Sequence, residues 1–100
     1  MRQPYTHGIW SVTPGREEQF VAAWTELAEW TARNVPGSGW AKLLRDSSSP
    51  SRFISFGPWE SLDAIEGWRA LPGWQERVQR LRAFLDGFEP STLELVAEVE

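Results

Sequence analysis

Between Arg52 and Leu85 the chain changes hydrophobic period twice, and this stretch, RFISFGPWESLDAIEGWRALPGWQERVQRLRAFL, limits what can be built around it. A short apolar run ends at the turn signal Gly57-Pro58, and apolar residues then return at helical spacing. Ser61 is placed to cap that helix, with Asp63 in its first turn and Leu62, Ile65 and Trp68 on its apolar side. Pro72-Gly73 interrupts the pattern. A second segment puts Trp74, Val78, Leu81 and Leu85 on one stripe, with Gln75, Glu76, Arg77, Gln79 and Arg80 largely outside it, and Gly87 is expected to close it. Three of the seven tryptophans, Trp59, Trp68 and Trp74, fall at intervals that bring them to one side of a helix pair. The expectation is an aromatic-walled space between sheet and helices.

The remaining elements follow from the same periodicities. Met1 to Pro4 reads as a frayed end, and Tyr5 to Thr13 as a strand with Trp10 and Val12 on one face and His7, Ile9 and Ser11 on the other. After Pro14-Gly15, a helix is predicted from Arg16 until Val35-Pro36-Gly37 stops it. Phe20, Ala23, Trp24, Leu27, Ala28 and Thr31 form its stripe, and Glu17 and Glu18 suit its first-turn dipole. Gly39 to Asp46 and Arg52 to Gly57 read as a hairpin joined by Ser47-Ser48-Ser49-Pro50. Thr92 to Val99 alternates most cleanly of all and reads as the last strand, with Leu93, Leu95, Ala97 and Val99 on one face.

The order β-α-β-β-α-β, with a break in the second helical region, is the ferredoxin-like split arrangement of the α+β class, with both helices on one face of a four-stranded antiparallel sheet. All 100 residues read as one domain, 1–100. Ile54 and Phe56 then point away from the helices, and a second copy of the chain is expected to cover them in a two-fold homodimer whose sheets close into a barrel.

Composition narrows the function. With 41% hydrophobic and 24% charged residues the chain fits a soluble globular protein, and a net charge of −4 argues against nucleic acid or an anionic membrane as partner. With no cysteine and one histidine, thiol chemistry, cysteine metal sites and two-histidine metal motifs within one chain are excluded; no metal site is expected. The first ten residues, MRQPYTHGIW, lack the apolar run of a signal peptide, and no stretch approaches the roughly 20 apolar residues of a membrane span, so a cytoplasmic protein is expected.

The segments FGPWESLDAIEGWRALPGWQERVQRL and FEPSTLELVAEV resemble the antibiotic biosynthesis monooxygenase family of dimeric α/β barrels, with the likeness running from Gly8 to Val99. Its most specific part is Trp59-Glu60-Ser61 followed by Trp68. The resemblance implies a cofactor-independent monooxygenase that oxidises a small aromatic or polyketide-derived substrate with molecular oxygen, needing neither metal nor flavin. It also implies site residues. The family's pocket tryptophan after the third strand matches Trp59, and the asparagine earlier on that strand falls at Ser55, which offers one donor where an amide has two. The arginine of the last helix falls about Gln79, with Arg77 and Arg80 nearby. Ser55 and Arg80 are therefore expected to hold a substrate oxyanion, with Trp59, Trp68, Trp74 and Trp10 around the ring and His7 as candidate general base. In the haem-degrading branch the proximal histidine falls at Val78 and the first-strand asparagine at Gly8, so haem is not expected.

Simpler roles stand beside these. Trp24 and Trp30 read as packing residues, Trp40 as the start of a strand, Trp59 equally as a plug at the end of the sheet, and Arg77 and Arg80 as a solvated face paired with Glu76. Two other functions fit the same fold: a non-catalytic aromatic-binding module, and a cyclase or lyase acting on a polyketide-like chain.

Overall fold

The computed structural model describes residues 2–100, in the order β1 (Pro4–Val12), α1 (Glu17–Asn34), β2 (Lys42–Asp46), β3 (Ser49–Pro58), α2 (Leu62–Ala70), α3 (Pro72–Arg82) and β4 (Leu85–Glu94). The strands form an antiparallel sheet in the order β2-β3-β1-β4, the ferredoxin-like arrangement with its second helix divided in two.

Local chemistry places the boundaries. Glu17 and Glu18 open α1, and the chain leaves it at Val35, with Gly37 adopting φ +87° in the turn that follows. The Ser61 hydroxyl accepts from the Ala64 N–H at 3.1 Å and caps α2. Pro72 begins α3 at its first position, where the missing N–H costs nothing. The hairpin between β2 and β3 turns on Ser47-Ser48 alone, with the Asp46 carboxylate accepting from the Ser48 N–H at 2.8 Å.

Trp10, Val12 and Phe53 from the sheet pack against Phe20 and Leu27 of α1 and Val78 and Leu81 of α3. A smaller cluster, Val35, Trp59 and Ile65, closes the other end beneath α2. Tyr5, His7, Ile9, Ile54 and Phe56 occupy the opposite face of the sheet, as the alternation predicts. Leu44 is 52% and Leu93 46% exposed on that face, so it is both apolar and open in the single chain.

Two expectations are corrected. The last strand runs Leu85–Glu94, not Thr92 to Val99; Leu85 and Gly87 lie in it and not at the end of α3. Gly87, Glu89 and Pro90 obscure its pattern, yet β4 is an edge strand, where proline is tolerated. The alternating tail lies beyond the sheet, with Val96 69% and Val99 96% exposed. Arg2 to Pro4 are not frayed: Pro4 starts β1, and the Gln3 carbonyl accepts from the Leu95 N–H at 2.9 Å. Met1 lies outside the described residues.

Candidate functional site

The helix-facing side of the sheet is large at one end and small at the other. At the large end Trp10 stacks on Phe88 at 3.9 Å and meets Phe20 at 5.3 Å, and Phe20 meets Phe53 at 5.2 Å. At the small end the same face carries Thr6, Gly8, Ser55 and Gly57, paired across β1 and β3. Both glycines are required by contact. A Cβ at Gly57 would lie 2.2 Å from the Trp40 carbonyl oxygen, and one at Gly8 would lie 3.0 Å from both Ser55 Oγ and Trp10 Nε1.

Helices α1, α2 and α3 roof this small end and leave a cavity of about 380 Å³. That volume lies at the lower end of small-molecule sites, roughly 300–1,000 Å³. Tryptophans wall it: Trp59 lies 4.8 Å from Trp68 and Trp68 lies 5.5 Å from Trp74, with Trp24 of α1 also on the lining. The aromatic-walled space expected between sheet and helices is present. Trp59 is only 4% exposed, so it closes the end of the sheet and faces the cavity at once.

Three hydroxyls in the lining are tied to indoles. Trp10 Nε1 donates to Ser55 Oγ at 2.9 Å, Trp59 Nε1 to Thr6 Oγ1 at 3.0 Å, and Trp68 Nε1 to Thr31 Oγ1 at 3.0 Å. The charged residues in the lining are Glu29, which is exposed, and Arg69, whose guanidinium donates to Thr92 Oγ1 at 3.3 Å. An apolar slot with fixed donors suits a flat ring bearing oxygen. The hydroxyl groups can hold such an oxygen but take up no proton at neutral pH.

Of the residues singled out in the sequence, Ser55, Trp59, Trp68, Trp74 and Trp10 come together around the cavity, and His7 also contributes to its lining. Arg80 does not. It is exposed on α3 and outside the lining, and the arginine that reaches the cavity is Arg69 of α2. Arg77 stacks over Trp30 at 4.4 Å and pairs with Glu26 of α1 at 2.9 Å, not with Glu76. The His7 ring pairs with Ser91 Oγ at 3.2 Å, on the opposite side of the sheet from Ser55. Val78, at the position of the haem-degrading branch's histidine, lines the cavity and offers no ligand to iron. Among the described residues no three His, Asp or Glu side chains are grouped to hold a metal ion. None of the helices described is long and apolar enough to cross a membrane.

Thr6, Thr31 and Arg69 were not singled out as site residues by the sequence. Thr31 sits on the apolar stripe of α1, and a polar residue on such a stripe is a usable signal; Arg69 gives none, because helical spacing places it at the margin.

The model of the family described as antibiotic biosynthesis monooxygenase matches residues 7–80. No curated protein matches the sequence. Solved structures share the fold. SnoaB, a cofactor-independent oxygenase from Streptomyces nogalater, superposes with a TM-score of 0.90 at 21% identity, over 99% of this chain and 98% of that one. A Caulobacter crescentus CB15 protein named for the same family superposes at 0.86 with 16% identity, over 96% and 92%. A conserved protein from Methanosarcina mazei Go1 superposes at 0.84 with 16% identity, over 94% and 93%.

Proposed function

The chain belongs to the antibiotic biosynthesis monooxygenase family, and from that premise we propose that it is a cofactor-independent monooxygenase of a small aromatic or polyketide-derived substrate. The observation that carries the proposal is the tryptophan-walled cavity whose floor holds the Ser55 hydroxyl beside Gly8, bonded to the Trp10 indole.

Triplet oxygen does not react directly with a closed-shell molecule in a spin-allowed step, so the substrate must supply an electron. A phenol or enol that has lost its proton can do so. The anion gives one electron to oxygen, leaving a substrate radical and superoxide; the two combine and take up a proton to form a hydroperoxide. Loss of water from the hydroperoxide leaves a carbonyl. In sum one carbon bearing two hydrogens and one O2 become a carbonyl and one water. The Ser55 hydroxyl donates to the anion, the indoles hold the ring flat, and the aromatic walls limit water around it. Trp59 forms the wall beside Ser55, and Arg69 contributes positive charge at the substrate oxyanion, the role expected of Arg80 from the sequence.

The working form we propose is a homodimer of this single domain, in which a second copy covers Tyr5, Ile9, Leu44, Ile54, Phe56 and Leu93. An apolar sheet face this open is poorly suited to water, and a two-fold partner presents the same surface in return.

A second reading, a module that binds an aromatic ligand without turning it over, is favoured by one observation: the single histidine lies across the sheet from Ser55. One experiment separates the two. Purified protein is given anthrones and dihydroquinones in an oxygen electrode, beside a boiled control and a Trp59→Ala variant. Uptake above autoxidation that the variant loses supports the oxygenase; tryptophan quenching without uptake supports the binding module.

A further inference from the structure

The three indole–hydroxyl bonds share one direction. An indole N–H only donates, so Ser55, Thr6 and Thr31 are each the acceptor. Among the described residues none of these three hydroxyls donates a hydrogen bond in turn. Thr31 makes the point most clearly. A threonine inside a helix can turn its proton to the carbonyl four residues back, as Thr25 does to Val21 at 2.7 Å. Thr31 is on the same helix and buried, yet its oxygen is held by Trp68 of α2 instead.

A hydroxyl fixed as an acceptor keeps its own proton available, and the incoming N–H polarises it into a stronger donor. All three residues line the cavity, and they arrive from different elements: Thr6 from β1, Ser55 from β3 and Thr31 from α1. Water or a ligand oxygen is the acceptor left for these protons.

We propose that Thr6 and Thr31 are specificity-determining residues that donate to ligand oxygens, aimed by Trp59 and Trp68. Trp59 and Trp68 are then positioning residues for these hydroxyls as well as walls. The inference rests on the proposed function only in taking the cavity as the site of an aromatic ligand; it requires no turnover.

The test compares 9,10-anthraquinone with anthracene, the same three rings with and without oxygen, using calorimetry and quenching of tryptophan fluorescence. Losing one neutral hydrogen bond in Thr31→Val weakens anthraquinone binding about threefold to tenfold and leaves anthracene unchanged. Thr31→Ser, which keeps the hydroxyl, retains the preference. Trp68→Phe alters a wall and so affects both ligands, but it also frees the Thr31 hydroxyl and lowers the preference for anthraquinone over anthracene; in the Thr31→Val background it lowers that preference no further. Thr6→Val and Trp59→Phe behave as a second such pair, and carry the comparison alone should Thr31→Val fail to fold. Equal losses for both ligands in the threonine variants, no change for either, or a further loss of preference in the double variants would overturn the proposal. Intact preference without oxygen uptake counts against the oxygenase and leaves this inference standing.

Discussion

Trp10 Nε1 and Ser55 Oγ meet at 2.9 Å one row apart on the β1–β3 ladder, and Gly8 is the residue that leaves them room. The indole fixes the hydroxyl oxygen as an acceptor, so its proton points away from Trp10. Ser55→Ala is expected to lower the oxygenation rate by about 10- to 100-fold with a smaller change in KM, since it removes one preorganised donor to developing charge. Steady-state oxygen uptake measures both parameters.

Gly8→Ala acts on the same pair from above. The added methyl meets Ser55 Oγ and Trp10 Nε1 at 3.0 Å and Phe88 at 3.1 Å, so at least one of the three has to shift. A loss of about 1–3 kcal/mol in urea unfolding is expected, as for other overpacked sites, together with a rate loss like that of Ser55→Ala. Full activity in Gly8→Ala would show that the bond is not needed.

Two helical glycines should respond in opposite directions to one substitution. Gly67 in α2 has nothing within 4 Å of where a Cβ would sit, so Gly67→Ala gains about 0.5–1 kcal/mol from helix propensity alone. At Gly73 the Cβ would lie 2.3 Å from the Trp30 ring, which Arg77 covers on the way to Glu26. Gly73→Ala is expected to destabilise by about 1–3 kcal/mol, because it wedges α3 away from α1. Urea midpoints of the two variants test the contrast directly.

Glu17 and Asp46 are the carboxylates held below their usual values, and Glu17 gives the simpler test of acid sensitivity. The Ser51 hydroxyl, at 2.7 Å, is the main cause that holds its carboxyl below the usual glutamate value; N–H groups of the Glu17 and Gly15 backbone and Arg45 add to it, and partial desolvation opposes them. A carboxylate depressed in the folded state contributes stability that is present above its unfolded value and is lost as pH falls through the folded one. Ser51→Ala should therefore raise the Glu17 midpoint in a carbon-detected NMR titration, and should melt closer to the wild type in acid than at neutral pH.

The open sheet face predicts association. Light scattering at micromolar concentration should give twice the chain mass, and Ile54→Asp, which places a carboxylate at the centre of that face, should give a monomer with an unchanged circular dichroism spectrum. A monomer in the wild type would remove the dimer.

Most of the fold is legible in the sequence because periodicity and turn chemistry agree with each other. Phe20, Leu27 and Thr31 recur at helical spacing and are buried together, Ser61 caps where it should, and Pro72 divides the helices. The exception is β4, where an edge position relaxes the rules that Pro90 breaks, while the neatly alternating tail has no strand to pair with. At the site, the walls are legible because tryptophan is large and rarely placed idly. The cation is not. Arg69 and Arg80 lie eleven residues apart on different helices, and it is Arg69 that reaches the cavity, which helical spacing within either helix does not reveal.

The taper of the sheet, from Trp10, Phe53 and Phe88 to Thr6, Gly8, Ser55 and Gly57, means that the hollow is made by side-chain atoms left out of ordinary strands and not by any special loop. Its capacity can be dialled without moving the backbone. Ala28→Leu, which breaks no hydrogen bond, would fill part of it with hydrocarbon, and the resulting protein should melt higher and bind aromatic ligands less well. The cavity is therefore stability the chain has forgone, and a thermal screen of fillers would trace its outline.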